Sequence, residues 1–92
     1  WELIIVDDAY SDGTADEALR RAQGDSRIKV IQNPENLGIS ATLQRAMSYA
    51  TGDYIAFIAS DDGYLPDKLE KQLDSLAKNP AAKVCLAWPL LI

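Results

Sequence analysis

Two pairs of adjacent carboxylates, Asp7-Asp8 and Asp61-Asp62, are the residues of this chain best suited to chemistry. Neighbouring acids repel unless a cation or hydrogen-bond donors share their charge. Such a pair therefore either holds a divalent metal that presents a phosphorylated ligand, or sits as a solvated acidic turn. Taken alone, each pair reads as the plain turn. Both, however, close an apolar run: Leu3-Ile4-Ile5-Val6 leads into the first, and Tyr54-Ile55-Ala56-Phe57-Ile58-Ala59, with Ser60, into the second. In an open parallel sheet, ligands collect beyond the carboxyl ends of the strands. Two acid pairs on one sheet edge make a ligand site as strong a reading as solvation. Asp12, in the turn after the first pair, is read as structural.

The elements that must position these acids follow from the apolar pattern. Leu3–Val6 is continuous and β-branched, the mark of a strand covered on both faces. Ser11-Asp12-Gly13 supplies turn chemistry, and Thr14-Ala15-Asp16-Glu17 reads as a capping box opening a helix. That helix carries a stripe of Ala15, Ala18, Leu19 and Ala22 and stops at Gly24. Residues 27–32 alternate polar and apolar, which predicts a strand with one wet face. A loop at Asn33-Pro34-Glu35-Asn36 precedes a helix over 39–50, with Ile39, Leu43, Ala46, Met47 and Ala50 at helical spacing and Met47 as core filler. The Tyr54 run predicts a buried strand. Pro66, a favoured first helical position, opens a third helix with Leu69, Leu73 and Leu76 inward, ended by Asn79-Pro80. Residues 83–92 predict a last strand, bent at Pro89. Alternating strands and helices imply an α/β unit, a mainly parallel sheet with right-handed crossovers, in one domain spanning 1–92.

Composition narrows the chemistry. The chain has 92 residues, a net charge of −5 and no histidine. Its acidic balance argues against nucleic-acid binding, which needs a basic face. Without histidine, this chain can form neither Ser-His nor Cys-His nucleophiles nor His-ligated metal sites. The single Cys85 cannot form an internal disulfide and reads as a small buried residue, consistent with a reducing compartment. No apolar stretch approaches a membrane span and no signal-peptide pattern is present, so a cytoplasmic location is expected. Carboxylate chemistry remains.

The order of these segments resembles family 2 glycosyltransferases. Trp1–Asp8 with Ser11-Asp12-Gly13-Thr14 is similar to that family's first acid pair and Ser/Thr-Asp-Gly-Thr turn. Asn36-Leu37-Gly38-Ile39-Ser40-Ala41 resembles its Asn-x-Gly segment. Gly52-Asp53-Tyr54-Ile55-Ala56-Phe57, Asp61-Asp62 and Leu65-Pro66-Asp67-Lys68-Leu69 resemble its Gly-Glu-Tyr strand, its DxD region and the helix beyond. The resemblance implies a partial GT-A, Rossmann-like fold that binds a nucleotide-diphosphate sugar, UDP- or dTDP-linked before others. It implies that Asp7 and Asp8 lie at the base, with Asp8 accepting the imide N–H, that Asp61 lies by the ribose, and that Asp62 holds Mg²⁺ or Mn²⁺ on the diphosphate. The parent enzyme would pass the sugar to an acceptor hydroxyl, sugar or lipid-linked, with inversion, and could sit at the cytoplasmic membrane face.

The departures from the family pattern matter. Ala59 stands where the DxD region usually has another acid, Gln44 where Asn is common, and Tyr10 where the turn residue is small. The family's opening strand, which lies between the Leu3 and Tyr54 strands, has no counterpart here, and its catalytic base is expected beyond Ile92. No catalytic residue is therefore assigned, the chain is expected to transfer no sugar by itself, and unpaired strand edges are expected to promote self-association. Two alternatives stand beside this reading. Leu3–Asp8 also resembles the first strand and acid pair of a response-regulator receiver, although Ile58-Ala59 occupies the place of the phosphoacceptor aspartate. A non-catalytic nucleotide-binding module is the other, favoured by Ala59.

Overall fold

The computed structural model describes residues 1–9, 12–59 and 61–87. The chain divides into two compact units, Trp1–Ala56 and Phe57–Ile92. The first holds strand β1 (Leu3–Asp7), helix α1 (Thr14–Ala22), strand β2 (Ile28–Gln32) and helix α2 (Ile39–Ser48); the second holds helix α3 (Lys68–Lys78). The fold class is α/β, as the alternation predicts. β1 and β2 pair in parallel, in a register from Leu3 opposite Ile28 to Asp7 opposite Gln32. The Asp7-Asp8 pair and Asn33 thus leave the sheet side by side.

α1 begins one step differently from the expected capping box. Gly13, in the left-handed region at φ 82°, is the N-cap and has no side chain with which to cap the helix. Thr14 lies within the helix, and Asp12 accepts from both its amide (3.0 Å) and its hydroxyl (2.5 Å). A threonine bonded backward to a preceding carboxylate is not free to reach the amide three residues on. Asp12 is therefore structural, as read from the sequence. Gly24, at φ 80°, follows the end of α1 as expected.

The remaining differences share one cause. Residues 54–59 form no strand, nor do residues 83–87; Trp88–Ile92, the rest of the expected last strand, and Tyr10 lie outside the described residues. The sheet among the described residues has only two strands. A strand exists by virtue of a laddered neighbour, and apolar character alone does not provide one. Tyr54, Ile55 and Phe57, expected inside, are exposed, as are Leu69 and Leu73 on α3 and Leu43 and Met47 on α2. Met47 is thus a surface side chain and Cys85 is half-buried, where core positions were expected. Within the first unit, two strands offer too little sheet face to cover the stripe of α2. Among the described residues, Ala15 is the one buried apolar residue, and the other buried residues, Asp7 and Asn33, are polar. α3 starts at Lys68, with Pro66 and Asp67 in the turn before it rather than in its first turn.

Candidate functional site

The first acid pair sits where β1 ends. Asp7 is 6% exposed, and its carbonyl accepts the amide of Asn33 at 2.8 Å, the last rung beyond β2. Asp8 is half-buried and turns toward the loop before α2. Its Oδ1 accepts from the Leu37 amide (2.7 Å) and from Asn33 Nδ2 (2.8 Å), and its Oδ2 from the Gly38 amide (2.9 Å). The Leu37 amide first, then Asn33 and Gly38, hold the Asp8 carboxyl below the ordinary carboxylate range, against a smaller opposing effect of desolvation. Asp8 is ionised at neutral pH and acts only as an acceptor. An ionised carboxylate offers about four lone-pair directions; among these bonds Oδ1 accepts two donors and Oδ2 one.

Two backbone features make this arrangement possible. Gly38 has φ 84° and ψ 171°, a conformation open to glycine that leads the chain into α2 directly after the two amides that reach Asp8. Directly after Asp8, Ala9 is the non-glycine residue held at positive φ, 64°. Strain of this kind persists where surrounding contacts over-determine the backbone, and here three donors fix the preceding side chain.

Asn33 was read from the sequence as loop. It is 4% exposed and every polar atom of its side chain is used: Nδ2 donates to Asp8 and to Thr42 Oγ1 (3.0 Å), and Oδ1 accepts Arg45 Nη1 at 2.7 Å. The sequence does carry a signal for it. Parallel pairing of the two strands sets the residue after Gln32 beside the residue after Asp7.

Asp61 and Asp62 belong to the second unit and are exposed. The Asp62 amide donates to the Ala59 carbonyl at 3.1 Å, which makes the acids the end of a turn rather than the end of a strand. Nearby, the Tyr64 hydroxyl donates to the Phe57 carbonyl. No cluster of three or more acidic, histidine or cysteine side chains able to hold a metal occurs among the described residues. Two exposed carboxylates nevertheless suit a hard cation such as Mg²⁺ or Mn²⁺, which commonly takes one or two protein carboxylates and completes its shell with phosphate and water.

At the other end of β1, Glu2 accepts from the amide (2.6 Å) and hydroxyl (2.9 Å) of Thr51, and Lys29 Nζ lies 3.4 Å away. Trp1, Glu2, Thr51 and Gly52 line a shallow hollow there. Glu2 there ties the start of β1 to the segment after α2.

Known proteins were then compared with the chain. The family model for glycosyl transferase family 2 matches residues 1–90. A Bacillus subtilis glycosyltransferase provisionally assigned to teichuronic acid biosynthesis, TuaG, is 43% identical over 89% of this chain and 32% of its own length. EpsE of the same organism, a provisionally assigned glycosyltransferase, is 49% identical over 86% of the chain and 29% of its own. The Escherichia coli UDP-Glc:alpha-D-GlcNAc-diphosphoundecaprenol beta-1,3-glucosyltransferase WfgD is 40% identical over 86% of the chain and 30% of its own. The chain thus spans about a third of the length of these curated relatives. No solved structure gives a significant match. Among the described residues, no helix is long and apolar enough to cross a membrane. The receiver reading falls away: the chain belongs to glycosyl transferase family 2.

Proposed function

We propose that these 92 residues form the donor-binding portion of a glycosyltransferase, with Asp7, Asp8 and Asp61 contacting a nucleotide-diphosphate sugar and Asp62 holding Mg²⁺ or Mn²⁺. The observation that carries the proposal is the Asp8 carboxylate: ionised, held at the end of β1 by the Leu37 and Gly38 amides and Asn33, with Oδ2 accepting fewer of these bonds than Oδ1. That chemistry suits the imide N–H of uracil or thymine, and guanine or adenine less well. The name of the relative WfgD, which uses a UDP-linked sugar and a lipid-diphosphate-linked acceptor, supports a UDP donor and a lipid-linked acceptor here. The bound metal would offset the charge of the diphosphate and stabilise it as the leaving group. Asp62 would hold it, with Asp61 by the ribose, and Asp8 would orient the base. Transfer to an acceptor hydroxyl, with inversion, would be the work of the whole enzyme, its base lying outside these residues. A nucleotide-sugar donor and an unpaired cysteine fit a reducing, cytoplasmic setting.

The test is calorimetric titration of the chain with UDP, dTDP and GDP, each with and without Mn²⁺. The expected result is metal-dependent binding of UDP or dTDP, weaker binding of GDP, and loss of the metal dependence in Asp62→Ala. Metal-independent binding that ignores the base would overturn the proposal. A chain that binds no nucleotide would instead favour a non-catalytic interaction module, which Ala59 also suits.

A further inference from the structure

Asn33 and Arg45 have no assigned part in the donor site, yet together they decide how Asp8 presents itself. The Asn33 amide is buried between a carboxylate and a guanidinium. With Nδ2 toward Asp8 and Thr42 and Oδ1 toward Arg45, every contact is favourable. Turned over, the amide oxygen would face the Asp8 carboxylate and its NH₂ would face Arg45, so both contacts become repulsive. Arg45 therefore selects the amide orientation. The amide in turn fills one side of Asp8 Oδ1, and the Leu37 amide fills the other. Oδ1 thus accepts two of these donors and Oδ2 one. Arg45 reaches this arrangement from α2, twelve residues beyond Asn33, and is half-buried.

We propose that Arg45, acting through the Asn33 amide, is a positioning residue that fixes how the Asp8 carboxylate is presented and so sets selectivity for a ligand bearing an imide N–H. Its use in nucleotide selection rests on the donor-site reading above; the relay itself does not.

Two measurements on the 92-residue chain separate these parts. The first is amide hydrogen exchange in the variants Arg45→Met and Arg45→Lys. Losing a hydrogen bond that orders a carboxylate is expected to speed exchange at Leu37 and Gly38 by about tenfold in Arg45→Met. Arg45→Lys keeps a donor and should restore much of the protection. Amides within α1 should stay unchanged, whereas a general loss of stability would speed them as well. The second is titration with UDP and with N3-methyl-UDP in the presence of Mn²⁺. The unsubstituted chain should prefer UDP, and Arg45→Met should lose about the same factor for UDP while leaving N3-methyl-UDP unaffected. Unchanged exchange at Leu37 and Gly38, or no rescue by lysine, would overturn the relay. Selective exchange changes in a chain that binds neither nucleotide would support the relay and overturn the donor-site reading on which its use depends.

Discussion

The sharpest consequence of the site geometry concerns Asn33, and the perturbation is Asn33→Asp, with Asn33→Ala as control. The Asn33 side chain makes three hydrogen bonds, at 2.8, 3.0 and 2.7 Å, from a position 4% exposed. At about 1 kcal/mol net per bond the amide contributes about 3 kcal/mol. Because Asp8 and Arg45 are half-buried and regain water when it is lost, about 2 kcal/mol is expected for Asn33→Ala. In a domain of this size that lowers the midpoint of thermal unfolding by roughly 8–16 °C. Asn33→Asp behaves differently with pH. The introduced carboxylate would replace a donor 2.8 Å from the Asp8 carboxylate, and two acids sharing one place cannot both stay charged cheaply. Arg45 opposes this, but burial and repulsion act together against one cation. One carboxyl of the pair therefore has a raised pKa in the folded state. The stability it contributes is present in full below its unfolded pKa and lost as pH rises through the folded value. Asn33→Asp should accordingly be weakest at neutral pH and approach the unsubstituted chain as pH falls from about 6 toward 4. Urea unfolding followed by circular dichroism across that range reads it out. A gap between Asn33→Asp and the unsubstituted chain that stays constant or widens with acidification would refute the reasoning.

Three further expectations follow from other parts of the molecule. Gly38→Ala meets no atom within 4 Å of the new methyl, yet φ 84° with ψ 171° suits glycine alone; a loss of about 1–3 kcal/mol in urea unfolding is expected from backbone strain. The carboxyls of Asp8, held mainly by the Leu37 amide, and of Asp25, lowered to about 2 mainly by Arg27, are both depressed in the folded state. Their stabilisation is present above the ordinary aspartate range and lost as pH falls through the folded values, so acid unfolding should concentrate between about pH 4 and pH 2 and be followed by circular dichroism. Leu65, Leu69, Leu73, Val84 and Leu86 are exposed in the second unit, which should make sedimentation concentration-dependent; a single monomeric species at every concentration would refute this.

Much of this was legible in the residues. Leu3–Val6 and the alternation at 27–32 announced the parallel pair, and the helical spacing of Ile39, Leu43 and Met47 announced α2. Tyr54–Ala59 carries the same apolar signal as β1 but forms no strand, because a ladder needs a second strand and apolar character cannot supply it. The burial of Leu69, Leu73 and Met47 failed for the same reason, since an amphipathic stripe states a preference for cover without providing it. At the site, Asp8 stood out by type and place. Asn33 did not: an asparagine ahead of a proline carries the ordinary mark of a turn, and its burial comes from Asp8 and Arg45, 25 and 12 residues away. Thr14 misled in a smaller way, because the competing acceptor at Asp12 lay just before the capping box.

The bond between Glu2 and Thr51 spans 49 residues, nearly the whole of the first unit. A ribosome adds roughly 5–20 residues each second, so Glu2 is made about 2–10 s before the threonine that engages its carboxylate. During that interval β1 can pair with β2 and Lys29 can reach Glu2. The last fastening of that corner, through Thr51, waits until nearly the whole unit has been made.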